Sequence, residues 1–260
     1  MRKRLASMFG AFALAILLAD FATAAPTFTG IGDLSGGQPF SRASDISGNG
    51  LVVVGYSGAT EGTEPFRWTA TTGIVTLTGA PQMIGVARGV SADGSIVVGD
   101  RSSTASSAGG PYLWTESGGI VPLNTMNGAV VQIGAYAISA DGSTVGGKAF
   151  EYPSRGSLAT GWVPQTPANT PGTTFGLSAD GSVAVGTYYR GQGPMPVRWT
   201  STEGFQELGD LPGGRTFGEA YGISADGSVV VGYSEVVEPY GNQAFRWTNE
   251  SGMLGLESPP

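Results

Sequence analysis

Five times along the chain a short turn, Ser-Ala-Asp-Gly or Ser-Gly-Asn-Gly, is followed by a valine-rich run and later by a single tryptophan. The turn glycines are Gly50, Gly94, Gly142, Gly181 and Gly227. The tryptophans are Trp68, Trp114, Trp162, Trp199 and Trp247, and the chain has no others. Their spacing of 37 to 48 residues signals a stacked or circular array of one supersecondary unit,. The repeat therefore decides the architecture, and it separates scaffold residues from those free to carry function.

The last repeat is the clearest. Ala220-Tyr221-Gly222-Ile223-Ser224 reads as a short strand and Ala225-Asp226-Gly227-Ser228 as a tight turn, because glycine accepts the positive φ such a hairpin demands,. Val229-Val230-Val231-Gly232-Tyr233 is a second strand. In Ala244-Phe245-Arg246-Trp247-Thr248 the aromatic residues share one face at period two,. Met253-Leu254-Gly255-Leu256 is a fourth strand, and nothing reads as helix. Each unit is thus a four-stranded antiparallel meander.

The other repeats align with it. Ile46, Val90, Ile138, Leu177 and Ile223 occupy first strands, and Val53, Val97, Val145, Ala184 and Val230 second strands. Phe66-Arg67-Trp68-Thr69, Tyr112-Leu113-Trp114-Thr115 and Val197-Arg198-Trp199-Thr200 repeat the third. Fourth strands fall at Ile74–Leu77, Ile120–Leu123 and Phe205–Leu211. The third repeat is irregular, with Gly146-Gly147 in its second strand and prolines from Pro164 to Pro171 in place of its fourth. Sheets of this kind cover one another around an axis. The expected fold is all-β, a five-bladed β-propeller of four-stranded antiparallel blades. An open β-solenoid or a large sandwich is the alternative, disfavoured by its exposed sheet edges. Phe28 to Gly37 mirrors Phe205 to Gly214, so an N-terminal strand is expected to complete the last blade and close the ring. Met253–Leu256 competes with it for that edge.

The first 24 residues stand outside the repeat. Arg2-Lys3-Arg4, an apolar stretch from Met8 to Ala19 and a small-x-small site at Ala22-Thr23-Ala24 form a secretory signal peptide,. The apolar stretch is too short for the ~20 residues that a spanning helix requires. Residues 25–260 then form a single repeat domain, in the periplasm or outside the cell. Without Arg2, Lys3, Arg4 and Asp20 the chain carries 10 basic and 19 acidic residues, a net charge of −9. Such a surface repels nucleic acid and anionic lipid. There is no cysteine, so the core alone must hold the fold,.

Three linked motifs follow in order: Leu208-Gly209-Asp210-Leu211-Pro212-Gly213-Gly214, Gly222 to Ser234, and Ala244-Phe245-Arg246-Trp247-Thr248. Together they resemble the HAF family of bacterial extracellular repeats, over essentially the whole chain after the leader. That family is named for a His-Ala-Phe tripeptide. Gln243-Ala244-Phe245 stands in its place here, and the chain has no histidine. The resemblance implies a secreted or surface repeat protein and brings no catalytic residue with it.

Chemistry is sparse. A tryptophan at the same register in every repeat is scaffold, since burying one removes about 150–250 Å² from water. Asp93, Asp141, Asp180 and Asp226 are single residues in hairpins, explained by turn chemistry rather than by a calcium loop, which needs several clustered oxygen ligands. No metal or other cofactor is expected. Without His or Cys a Ser-His-Asp triad, a thiol nucleophile and the usual zinc sites are excluded,. A paired-carboxylate glycosidase needs only Asp or Glu. Of the acidic residues outside the repeat pattern (Asp45, Asp100, Glu151, Glu219), Asp45 and Glu219 lie at first strands and form the candidate channel pair. The second-to-third connections are long and all different: Ser57–Glu64, Asp100–Gly110, Lys148–Thr160, Thr187–Pro194 and Ser234–Gln243. Binding is expected on that variable rim, at Tyr152, Arg155, Tyr188, Tyr189, Arg190 and Tyr240, with Glu238 nearby. The expected function is a non-enzymatic module recognising a glycan or an extracellular protein, the alternative a polysaccharide-active enzyme using Asp45 and Glu219.

Overall fold

The repeated turn sets each inner strand pair. Ser91 Oγ donates to Asp93 Oδ1 (2.7 Å) and accepts the Ile96 N–H (3.0 Å), while Asp93 Oδ1 also accepts the Ser95 N–H (2.9 Å). Ser139 with Asp141, Ser178 with Asp180 and Ser224 with Asp226 repeat this net, and Asn49 takes the aspartate's place in the first turn. The following glycine has φ of 72° at Gly50 and 77° at Gly94, a region closed to most side chains,. The serine hydroxyls, then the backbone N–H groups, hold Asp93, Asp180 and Asp226 at a pKa of about 2,.

The computed structural model describes residues 27–77, 83–102, 109–123, 125–126, 129–130, 133–149, 152–157, 161–165, 170–191, 193–214, 216–236 and 241–256. The signal segment lies outside them. Among the described residues no helix is long and apolar enough to cross a membrane. Sheet 1 comprises β1 (Ser41–Ile46), β2 (Val53–Ala59), β3 (Gly62–Thr69) and β4 (Gly73–Thr76). Sheet 2 comprises β5 (Gly85–Val90), β6 (Ile96–Arg101), β7 (Gly110–Thr115) and β8 (Gly119–Pro122). A two-stranded ribbon, β9 (Thr125–Met126) with β10 (Ala129–Val130), precedes sheet 3. Sheet 3 comprises β11 (Ile133–Ile138), β12 (Val145–Ala149), β13 (Tyr152–Ser157) and β14 (Gly161–Pro164). Sheet 4 comprises β15 (Gly172–Leu177), β16 (Val183–Arg190), β17 (Gly193–Thr200) and β18 (Gly204–Glu207). Sheet 5 comprises β19 (Gly218–Ile223), β20 (Val229–Val236), β21 (Gly241–Thr248) and β22 (Gly252–Gly255). All five are antiparallel meanders in chain order, and their first strands touch in succession on the inside.

The core lies between sheets, and each junction reuses the same parts. Val52 and Val54 of sheet 1 pack on Ala87, Val97 and Tyr112 of sheet 2, with Trp114 against them. Val98 and Leu113 meet Ala135 and Val145, with Trp162 against them, and Val185 meets Ala220, Val230, Phe245 and Trp247. The turn glycine of each later sheet lets the preceding sheet close in. A Cβ on Gly94 would lie 2.4 Å from Val52 Cγ2, and one on Gly227 would lie 2.7 Å from Val183 Cγ2. A backbone ladder crosses the turns, from Asn49 N–H to Ala92 C=O (3.1 Å), then Ala92 to Ala140, Ala140 to Ala179 and Ala179 to Ala225 (each 2.9 Å).

Three expectations are corrected. Among the described residues no strand precedes Ser41, and β22 holds the outer edge of sheet 5. The mirrored segments are instead connections that enter a sheet. Leu34 N–H donates to Ser57 Oγ (2.9 Å) as Leu211 N–H does to Ser234 Oγ (3.2 Å), each leucine plugging the sheet that follows. The long second-to-third loops are mostly paired strand: only two residues separate the paired strands in sheets 1, 3 and 4, and only the Arg101–Gly110 connection is longer than four. Finally, sheet 3 keeps its fourth strand but moves its tryptophan. Gly156 pairs with Val145, where Trp68 pairs with Val53 and Trp247 with Val230. Trp162 stands beside Gly156 on β14, so its indole fills from the neighbouring strand the space a third-strand tryptophan fills elsewhere.

Candidate functional site

A β-bulge interrupts every first strand at the same place and re-aims one side chain. The irregularities fall between Ala43 and Asp45, Ala87 and Gly89, Ala135 and Ala137, Thr174 and Gly176, and Ala220 and Gly222. The residues so displaced are Ser44, Arg88, Tyr136, Phe175 and Tyr221. Alanine or glycine stands on at least one side of each bulge, and the inner edge needs no further strand partner there.

Four of these side chains form one continuous strip. The Arg88 guanidinium lies 4.7 Å from the Tyr136 ring centroid. Tyr136 meets Phe175 edge-on at 5.9 Å, Phe175 meets Tyr221 at 5.2 Å, and Tyr221 meets Tyr233 at 5.8 Å. Such tilted contacts are favourable for aromatic pairs. Tyr221 is half exposed, so the strip presents ring surface to solvent. Charges bracket it: Asp100 Oδ2 accepts from Arg88 Nε (2.6 Å), and the Tyr221 hydroxyl donates to Glu219 Oε2 (2.5 Å). Burial first, then the Asp100 charge, holds the Tyr136 phenol above its usual range. Partial burial, then the bond to Glu219, does the same for Tyr221. All these phenols are neutral hydrogen-bonding groups near neutrality.

The sequence-derived site residues are scattered. Arg155 stacks on Trp199 of the next sheet at 4.2 Å and donates from Nη1 to the Gly181 carbonyl (2.5 Å), so it clamps sheets 3 and 4 together. Tyr188 is buried against Phe205 at 5.0 Å with its hydroxyl on Glu207, and Arg190 pairs with the same carboxylate at 3.1 Å. Tyr152 is half-buried on β13. Tyr240 and Glu238 lie outside the described residues. Tyr189 is exposed on β16.

The two channel carboxylates are already engaged. Asp45 Oδ2 accepts the Val90 N–H (2.9 Å) and Oδ1 the Ile46 N–H (2.8 Å), which fastens sheet 1 to sheet 2. Burial outweighs these bonds and raises its pKa. Asp100 does the same one sheet later, accepting the Ala135 N–H at 2.9 Å. Among the described residues no group of acidic side chains is placed to hold a metal ion. The signal of the strip in the sequence is variation at a fixed register: the displaced position reads Ser44, Arg88, Tyr136, Phe175 and Tyr221, preceded by alanine in four repeats and by Thr174 in the fourth.

Radial four-stranded antiparallel meanders with the first strand innermost define the β-propeller class,. Solved structures of that architecture resemble the chain. A TolB-type protein of Agrobacterium tumefaciens matches with a TM-score of 0.58 at 14% identity, over 84% of this chain and 80% of that one. TolB of Acinetobacter baumannii matches with a TM-score of 0.54 at 14% identity, over 82% of this chain, which spans only 53% of that protein. An oligogalacturonate lyase of Vibrio parahaemolyticus matches with a TM-score of 0.57 at 14% identity, over 87% of this chain and 67% of that one. At such identity the likeness concerns the fold alone. No family model and no curated protein matches the chain.

Proposed function

We propose that this is a secreted, non-enzymatic repeat module of the HAF type that binds a glycan along its inner wall. The observation that carries the reading is the strip of Arg88, Tyr136, Phe175 and Tyr221, in which the exposed Tyr221 ring and the half-buried Tyr136 and Phe175 rings lie beside charged and hydroxyl groups. Sugar rings offer apolar faces that stack on aromatics and hydroxyls that such flanking groups bond. Binding is preferred to cleavage because both Asp45 oxygens already accept backbone N–H groups and Glu219 accepts a phenol. An extracellular protein ligand is the competing occupant.

The test is calorimetric titration of the protein against a panel of neutral and acidic oligosaccharides. Oligogalacturonides belong in it, because a structural neighbour is a lyase for them. Phe175→Ala and Tyr221→Ala should each weaken binding at least tenfold while leaving the melting temperature close to that of the parent. A protein that binds nothing on the panel, or variants that bind as well as the parent, would overturn the proposal.

A further inference from the structure

Sheets 1 to 4 each present a forward face to the sheet that follows, and sheets 2 to 5 each present a backward face to the sheet before. Forward faces carry a residue that seats against the next turn glycine (Val52, Ile96, Thr144, Val183). Most add an arginine that shares a groove with the next tryptophan, as Arg67 does with Trp114. Arg155 stacks on Trp199 and Arg198 approaches Trp247 at 6.0 Å.

Sheet 5 carries a complete forward face on which none of the described residues is seated. Val229, Val231 and Arg246 hold the registers of Val52, Val54 and Arg67. Val231 is 42% exposed, whereas Val54 and Val98 are fully buried, and Arg246 is exposed. Sheet 1 carries a complete backward face, also uncovered. Ile46 is 55% exposed against 6% for Val90 at the same position, Ala43 is exposed, and Val53 and Trp68 are half-buried. Gly50 has no atom within 4 Å of a Cβ built on it, whereas every other turn glycine of this series meets the preceding sheet. The backbone ladder stops at the same two places. Among the described residues no hydrogen bond continues from the Ala225 N–H, and none enters at the Gly48 carbonyl.

We infer that the forward face of sheet 5 docks on the backward face of sheet 1 of a second copy of this chain, head to tail. The occupant follows from continuity with four internal junctions built the same way. Val229 is the missing neighbour of Gly50, Arg246 the missing cation for Trp68, and Ala225 N–H the missing donor for the Gly48 carbonyl. Among the described residues neither face is covered within one chain, so each is open to another molecule. A contact between two different patches is heterologous, and it propagates until it closes on itself.

Two face-blocking variants and one crosslink test this. In sedimentation velocity the parent should grow from monomer to larger species between about 1 and 100 μM. Val231→Arg and Ala43→Arg should each remain monomeric alone, yet a 1:1 mixture should form a dimer and nothing larger, because each retains one working face. The chain has no cysteine, so Gly48→Cys with Ala225→Cys, oxidised, reports the partner directly. Disulfide-linked multimers are the expected product. A parent that stays monomeric throughout, a mixture that fails to pair, or a crosslink formed only within one chain would overturn the inference, the last by showing that sheet 5 closes on its own sheet 1.

Discussion

Truncating one valine in two equivalent positions separates a packed junction from an open one. Val98 and Val231 occupy the same register on the forward faces of sheets 2 and 5, the first fully buried and the second 42% exposed. Removing two methyl groups forfeits about 1.6 kcal/mol of transfer free energy at ~0.8 kcal/mol per carbon. At Val98 the hole beneath Ala135 and Val145 adds a cavity term of about 1 kcal/mol, for a void of about 40 Å³ at ~24 cal/mol per Å³. Val98→Ala should therefore cost about 2.5 kcal/mol. At Val231 only about 0.6 of the side chain's area is withdrawn from water and no wall stands opposite, so Val231→Ala should cost about 1 kcal/mol. The lost β-propensity is the same in both and cancels from the comparison. Urea unfolding followed by tryptophan fluorescence, at sub-micromolar protein and with unchanged slope, measures both. Equal losses at that dilution would refute the reasoning, because they would mean that sheet 5 is packed on its forward side within a single chain.

Three further outcomes are expected. Gly94→Ala should cost at least 2 kcal/mol more than Gly50→Ala, since both incur strain of about 1 kcal/mol at positive φ but only the first drives a methyl to 2.4 Å from Val52; differential scanning calorimetry of the two variants decides it. The pKa of about 2 for Asp93, Asp180 and Asp226 lies below the ordinary 3.8. Their contribution is thus complete above pH ~4 and lost as pH falls toward 2; replacing all three with asparagine should flatten the fall in melting temperature over that window. Asp100→Ala leaves Arg88 and the Ala135 N–H without their acceptor and should cost about 3 kcal/mol,, with Asp100→Asn recovering part of it in chemical denaturation.

Much of the scaffold was legible because its signals are local. The Asp-Gly turns, the valine runs and the Phe-Arg-Trp-Thr strands each identify themselves within five residues, and four of the five meanders stand where the sequence puts them, the third keeping a fourth strand that carries its tryptophan. What escaped depended on neighbours distant in sequence. A bulge adds one residue to a strand and leaves the composition unchanged, so Tyr136, Phe175 and Tyr221 looked like ordinary strand positions. The polar hairpin around Thr60 and Glu61 resembles a loop, yet extended pairing satisfies its backbone on the outer rim. The Gly-Asp-Leu segment at Ile31 to Leu34 copies Leu208 to Leu211 faithfully. Its role as an entry to sheet 1 appears only when Leu34 is seen against Ser57. Tyr188 and Arg155 look exposed by type, and they are spent on Glu207 and on Trp199.

The displaced tryptophan of sheet 3 bears on how such a chain can be shuffled. In the other four sheets the third strand brings the indole and the fourth brings Ile74, Ile120, Phe205 or Met253 beside it. A genetic crossover between those two strands keeps one tryptophan beside one large apolar residue there. Exchange with the third repeat at the same point yields either glycine beside isoleucine, which leaves a hole, or tryptophan beside tryptophan, which overfills the site. The third repeat must therefore be inherited whole, while its neighbours can trade strands.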